Sequence, residues 1–135
     1  MKKLYFIFLL VVVSLFLIFL YVLLAGLSAS ISISFLNKEY GVLNLVIMRA
    51  FAVIASVVAG FIVAFPMGYF TRKKSILYGF AMPLIGMITL FQPWKYDSLQ
   101  LIIWAYLEWI ALFLSCGFFW YLGQKIRNRK LKSTP

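Results

Sequence analysis

Residues 48–68 read MRAFAVIASVVAGFIVAFPMG, and this stretch organises the rest of the chain. It is an apolar run in which small residues recur at every fourth position, namely Ala52, Ser56, Gly60, Ala64 and Gly68. On a helix this spacing forms a slowly drifting row along one side, where a second helix can approach closely. At 100° per residue, Arg49 falls within about 60° of the start of this row. Arg49, the side chain of this segment that is most costly to bury in a membrane, therefore shares the closely packed face.

The composition of the chain indicates a membrane protein. Of 135 residues, 65% are hydrophobic and 12% are charged, and the mean hydropathy is +1.03. A water-soluble domain of this length would lack the polar residues needed for its outer layer. A bilayer instead requires runs of about 20 apolar residues. Four apolar runs are present, at residues 4–27, 43–65, 76–91 and 101–122. The sequence predicts a single all-α domain over residues 1–135, in which four transmembrane helices form a compact bundle.

The first apolar run begins after Lys2 and Lys3, as the apolar core of a secretory signal does. Such cores are about 7–15 residues long, and the run at residues 4–27 is longer. We therefore expect it to remain in the protein as the first membrane span.

Basic residues are distributed unevenly between the two ends of the predicted bundle. One end carries ten of them: Lys2, Lys3, Arg72, Lys73, Lys74, Lys125, Arg127, Arg129, Lys130 and Lys132. The other end carries Lys38 and Lys95, which are accompanied by Glu39 and Asp97. The positive-inside bias places both termini and the loop at residues 72–74 in the cytoplasm, and it argues against dual topology. Short loops and a Lys-rich start favour a bacterial inner membrane, with an organelle membrane as the alternative.

The connecting segments give further structural predictions. Residues 28–35 alternate polar and apolar side chains, which favours an extended interfacial segment, with a frayed end of the first helix as the alternative. Residues 37–41 form a polar turn. Pro83 predicts a kink in the third span. Residues 124–135 form a basic cytoplasmic tail that we expect to be disordered beyond its first turn. The predicted interface anchors are Trp94, Tyr96, Trp120 and Tyr121.

Arg49 and Glu108 are the two strongly charged residues well inside predicted spans. Spans two and four run in the same direction, and the two residues lie at similar depths, about 9 and 11 Å below the starts of their spans. Because an unpaired charge at such depth is costly, we predict an ion pair that holds span two against span four. Its role is either to fix helix register or to line a polar path or bind a partner's charge. In the remaining alternative the pair does not form, and Arg49 reaches the headgroups.

The row of small residues predicts a helix-packing face, used either within one chain or in a dimer. Glu108 likewise shares a face with small residues, at Ala105, Ala111 and Ser115.

The residues needed for catalysis are scarce. The chain has no histidine and one cysteine, Cys116, so it offers no imidazole base and no Cys-His or Ser-His pair. Its three carboxylates, Glu39, Asp97 and Glu108, are far apart in sequence. We therefore expect no enzyme activity, no metal site and no cofactor. Trp104, Tyr106 and Trp109 flank Glu108, and their interpretation is either a cation-binding aromatic patch or ordinary packing.

The basic clusters are interpreted as contacts to anionic headgroups on the cytoplasmic side rather than to nucleic acid, because no folded cytosolic module presents them. The residues assigned to these contacts are Arg72, Lys73, Lys74, Lys125, Arg127, Arg129 and Lys130.

The leading functional hypothesis is a non-enzymatic accessory, stabilising or inhibitory (immunity-type) subunit. It would act through transmembrane helix packing on another membrane protein or on a second copy of itself. The alternative is a small transporter or channel that works as a homo-oligomer, with Arg49 and Glu108 in its path. A membrane enzyme acting on lipid is a third class, and it lacks a base.

Overall fold

The computed structural model describes residues 1–35, 41–71, 75–90 and 92–134. Within these ranges the chain is helical and contains no strand, which confirms the predicted all-α class. The helices are α1 (Lys2–Phe35), α2 (Gly41–Phe70), α3 (Leu77–Ala81), α4 (Leu84–Leu90) and α5 (Leu99–Ser133), and a single 3-10 turn at Pro93–Lys95 precedes α5. Residues 37–40 of the predicted polar turn and the basic loop at residues 72–74 lie outside the described residues.

Three helices are long and apolar enough to cross a membrane. Their qualifying segments are Lys2–Ser28 in α1, Val46–Phe70 in α2 and Leu99–Ser133 in α5. At 1.5 Å per residue, a helix needs about 20 residues to cross a hydrocarbon core of about 30 Å. Each of the three segments exceeds that length, so the chain is a membrane protein.

The predicted third span is not one continuous helix. It divides into α3, of five residues, and α4, of seven, with Met82 and Pro83 between them. Proline has no amide hydrogen, so it cannot donate the helical hydrogen bond to the carbonyl four residues earlier. The bonds resume on each side, from the Met82 amide to the Tyr78 carbonyl and from the Met87 amide to the Pro83 carbonyl. The kink predicted at Pro83 is thus a full break, and the third apolar run forms two short helices rather than one kinked helix.

The extended segment predicted at residues 28–35 is wrong, and the alternative, a continuation of the first helix, agrees with the structure, because α1 continues to Phe35. Two of the serines there, Ser28 and Ser30, satisfy their hydroxyls within the helix. Ser28 Oγ donates to the Leu24 carbonyl at 2.7 Å, and Ser30 Oγ donates to the Gly26 carbonyl at 3.0 Å. A serine bonded in this way does not compete with the helical backbone, so alternating polarity does not force a strand.

The predicted disorder of the tail is also corrected. Helix α5 extends to Ser133 and carries most of residues 124–135 with it. The hydroxyls of Ser133 and Thr134 donate to the Lys130 carbonyl at 2.9 and 2.8 Å, which satisfies one terminal acceptor of the helix.

Helices α2 and α5 run parallel, side by side. Arg49 contacts Glu108 near one end, Gly60 faces Ser115 in the middle, and Gly68 faces Trp120 near the other end. Residue numbers rise together along both helices. The chain therefore has to return between Phe70 and Leu99 to the end at which α2 began.

The return is made by α3 and α4, which run in the direction of α1 and against α5. The ring of Phe6 packs edge-on against Tyr78 at 5.0 Å between centroids. Further along, Gly86 approaches both Ile18 of α1 and Trp109 of α5. The chain thus runs up, down, up and down, and the second upward segment is the broken one.

The core lies where these four segments meet. Its fully buried members include Leu17, Met82, Leu112, Cys116 and Trp120. Trp120 was predicted as an interface anchor, and its complete burial corrects that assignment. Glycine residues leave the space that Trp120 occupies. A Cβ at Gly79 would lie 2.7 Å from Trp120 Cβ, and a Cβ at Gly68 would overlap the Trp120 carbonyl.

Candidate functional site

Three helices contribute one polar side chain each to a cluster near the end of the bundle where α2 and α5 begin. Helix α1 supplies Tyr21, α2 supplies Arg49 and α5 supplies Glu108. We call these three residues the charge cluster. Parallel packing brings Arg49 and Glu108 to the same level, and the antiparallel course of α1 brings Tyr21 there from the opposite direction.

Glu108 is the centre of the charge cluster. Its Oε1 lies 3.3 Å from Nη1 of Arg49, and its Oε2 accepts a hydrogen bond of 2.9 Å from the Tyr21 hydroxyl. The Glu108 side chain is 9% exposed and that of Arg49 is 29% exposed. Both carboxylate oxygens therefore have partners, although the carboxylate is buried among apolar helices.

Burial makes the charge cluster costly to break. Removing one member of a buried ion pair leaves an uncompensated charge, at a cost of about 3–5 kcal/mol. The pair was predicted from depth along the helices, and the structure brings its two side chains into contact.

Tyr21 is the member of the charge cluster that the sequence did not identify. Its hydroxyl needs a hydrogen-bond acceptor when the ring is buried, and that requirement was the available signal. The ring is 9% exposed and packs against Trp109, with 5.9 Å between centroids. Trp109 is thus buried beside the cluster, whereas Tyr106 is 47% exposed, so the aromatic residues around Glu108 do not converge on one pocket.

The predicted row of small residues faces α5 over most of its length. Ser56 and Ala64 are fully buried. A Cβ at Gly60 would overlap Ser115 Oγ, and a Cβ at Gly68 would overlap the Trp120 carbonyl. Ala52, at the end nearer the charge cluster, is partly exposed. The row therefore provides close contact with α5 inside one chain.

Helix α5 also contributes small residues to this contact. Ser115 Oγ donates to the Leu112 carbonyl at 3.0 Å and lies 3.5 Å from the Ser56 carbonyl of α2. A Cβ at Gly123 would overlap the Phe65 carbonyl and would lie 2.7 Å from the Tyr69 amide nitrogen. The two backbones thus approach each other closely at both the middle and the far end, as in other small-residue helix pairs.

Arg127 closes the opposite end of the α2–α5 pair. Its Nη1 donates to the carbonyls of Tyr69 and Phe70 at 3.0 and 2.9 Å. These carbonyls end α2 and have no helical partner, so a cation there satisfies acceptors and complements the negative end of the helix dipole. The sequence assigned Arg127 to headgroups, and this bond to α2 was missed.

The other basic residues at this end make more distant contacts than Arg127 does. Lys130 Nζ lies 5.8 Å from the centroid of the Tyr69 ring, and Lys125 Nζ lies 5.7 Å from that of Tyr121. Lys125, Arg129 and Lys130 are all exposed. Arg72, Lys73 and Lys74 lie outside the described residues, so the predicted headgroup role of this set stays a prediction.

The charge cluster offers groups for binding and pairing. Cys116 is fully buried. Within residues 1–35, 41–71, 75–90 and 92–134, no three His, Cys, Asp or Glu side chains come together as a metal site would require. The cluster offers one half-exposed guanidinium that can bind an anion, held in place by a buried carboxylate and a phenol.

Comparison of the chain with models of protein families, with characterised proteins and with solved structures finds no match in any of the three.

Proposed function

We propose that the protein crosses a bacterial inner membrane four times, with both termini in the cytoplasm. The parallel course of α2 and α5 supports this topology, because the segment between them has to return through the same thickness. Residues 77–90 would cover only about 21 Å as helix, so the crossing also requires residues on either side of them. The basic asymmetry gives the orientation.

Reporter fusions test the topology. Green fluorescent protein at either terminus is expected to fluoresce, and alkaline phosphatase at the C-terminus is expected to be inactive, because phosphatase folds only after export. An active C-terminal phosphatase would mean that α3 and α4 do not cross the membrane and would overturn the four-span topology.

We propose further that the protein is a non-enzymatic accessory, stabilising or inhibitory subunit. This proposal rests on one observation: the polar groups and the small residues make their contacts inside the bundle. Glu108 is neutralised inside the bundle by Arg49 and Tyr21, and the small faces of α2 and α5 are closed on each other. The outward surface of α1 is a continuous set of apolar side chains. Such a body acts on its surroundings through packing rather than through chemistry.

Native mass spectrometry of the protein, gently extracted from its host membrane, tests the accessory role. A defined complex with a different polypeptide is the expected result and would name the partner. A lone monomer, with no partner recovered after mild cross-linking in the membrane, would contradict the proposal.

A homo-oligomer in the same experiment would favour the alternative, a small transporter or channel. One observation supports that alternative: the Arg49 side chain is 29% exposed, so an assembled oligomer could place it beside a path. Glu108→Gln is then expected to change ion or solute flux in proteoliposomes while leaving assembly intact. Normal flux would exclude the conduit.

A further inference from the structure

The position of the charge cluster along the bundle axis can be measured on each of three helices. On α1, Tyr21 is 19 residues from Lys2; on α5, Glu108 is 19 residues from Arg127; on α2, Arg49 is 21 residues from Phe70. At 1.5 Å per residue these separations are about 28–32 Å. That is the thickness of a hydrocarbon core, about 30 Å. With the basic end at one boundary, the charge cluster lies near the other, where a long arginine side chain reaches toward the lipid phosphates.

Arg49 retains unused hydrogen-bonding capacity at that boundary. A guanidinium has five N–H donors. Among the described residues, Glu108 is the one partner of Arg49, through Nη1 alone. The side chain is 29% exposed, and both oxygens of Glu108 are already occupied. The remaining donors are available to a further acceptor, and a phosphodiester matches the planar fork of arginine.

A groove opens between α2 and α5 at the level of Arg49, which does not itself line the groove. Its volume is about 540 Å³, and its walls are almost entirely apolar. On α2 it is lined by Ala50 and Val53, next to Arg49 in the chain and one turn on, and on α5 by Leu107, next to Glu108.

The groove extends past the charge cluster in both directions. Trp104 lies four residues, or about 6 Å, outward of Glu108, and Leu114 lies six residues, or about 9 Å, inward. Tryptophan favours the level of the headgroups. The groove thus passes from headgroup depth, past the level of the charge cluster, into hydrocarbon.

We propose that this groove binds one phospholipid of the outer leaflet, with its phosphate on Arg49 and the upper part of an acyl chain between α2 and α5. Naming the leaflet rests on the topology proposed above, whereas the site itself goes beyond the accessory role. Because Glu108 balances the charge of Arg49, recognition depends on hydrogen bonds to the phosphodiester more than on net charge. A bound lipid would be a fixed component of the α2–α5 surface.

Photo-cross-linking tests the site. The protein is reconstituted into nanodiscs of phosphatidylethanolamine and phosphatidylglycerol that contain a phosphatidylglycerol with a diazirine in one acyl chain, and labelled peptides are mapped after illumination. Labelling is expected to concentrate on groove residues such as Ile54 and Leu114, above the level at exposed α1 residues such as Phe16. Uniform labelling of all lipid-facing residues would overturn the proposal.

Two variants separate the site from general lipid contact. Arg49→Gln is expected to lower groove labelling about tenfold, as loss of a charge-assisted hydrogen bond implies. Arg129→Gln, a basic residue at the other end, is expected to leave it unchanged. Ala111→Phe fills the groove and keeps the charge cluster, so it lowers labelling even if Arg49→Gln fails to fold. Unchanged labelling in Ala111→Phe, or recovery of a polypeptide cross-linked in the groove, would overturn the proposal.

Discussion

The α2–α5 contact and the contact of α1 with the bundle differ in how closely the helices approach and in how much of each helix is buried. Between α2 and α5, glycine and serine let the two backbones approach closely. Adding a Cβ at Gly60, Gly68 or Gly123 would produce an overlap with an atom of the other helix. Helix α1 instead touches the bundle with a narrow stripe at Ser14, Leu17 and Tyr21. Only 11% of its most apolar segment is buried, against 39% in α5.

The difference shows where the stability of the bundle resides. In a bilayer, apolar surface gains little by leaving lipid for protein, so helix association depends on close packing and on hydrogen bonds between helices. The α2–α5 pair has both along its whole length. Helix α1 is attached by the packing of its narrow stripe and by one hydrogen bond, from the Tyr21 hydroxyl to Glu108.

The largest expected effect comes from filling the α2–α5 contact. Gly68→Leu places side-chain atoms against the Trp120 backbone, which cannot move aside as a flexible side chain would. We expect loss of the folded bundle, on the order of 5 kcal/mol, in thermal unfolding followed by tryptophan fluorescence in detergent. Gly26→Leu on α1 is the matched control, because nothing lies within 4 Å of its added Cβ. Equal stability of the two variants would refute the contrast between these helices.

Next in size is the ion pair. Arg49→Glu and Glu108→Arg each place two like charges together, and we expect each to lose about 3–5 kcal/mol of stability. The double reversal restores opposite charges and is expected to recover much of that loss, measured as the interaction energy of a double-mutant cycle. If the double variant is no more stable than either single one, the contact does not hold α2 to α5.

A smaller effect is expected from the attachment of α1. Tyr21→Phe removes the donor to Glu108 Oε2 and leaves a buried carboxylate oxygen without a partner, at a cost of about 1–3 kcal/mol. Tyr5→Phe is the control, since Tyr5 is 69% exposed on the same helix. Chemical unfolding of both variants in one detergent measures the difference. An unaffected Tyr21→Phe would mean that α1 is held by packing alone.

The smallest effect is expected at the far end of the α2–α5 pair. Arg127→Gln loses two bonds to the terminal carbonyls of α2, which is worth about 1 kcal/mol at a partly exposed site. Hydrogen exchange in the last turn of α2 should rise relative to the Arg129→Gln variant. Matching exchange in the two would assign Arg127 to headgroups, as the sequence analysis did.

Much of the fold followed from one-dimensional patterns. Hydropathy predicted the long helices, and proline chemistry predicted a kink at Pro83, where the structure has a break. Residues 28–35 were misassigned because period-two polarity counts side chains and ignores the option that a serine hydroxyl bonds back to its own helix. The tail was misassigned because its composition gives no sign of the long helix that it continues.

Depth and direction were predictable for Arg49 and Glu108, because an α-helix converts sequence separation directly into distance along its axis. The azimuth of Tyr21 was not predictable, since α1 is apolar on all sides and has no polar stripe to orient it. The bond from Arg127 to α2 was likewise hidden, because it depends on where a neighbouring helix ends.

The parallel pairing of α2 and α5 also has a consequence for biosynthesis. Arg49 and Glu108 are 59 residues apart, so the ribosome completes Arg49 well before its counter-charge exists. At about 5–20 residues per second, that interval is about 3–12 s. During it, α2 leaves the translocon with an unneutralised cation and an open glycine face. Assembly of the bundle is therefore completed by the last helix to be made.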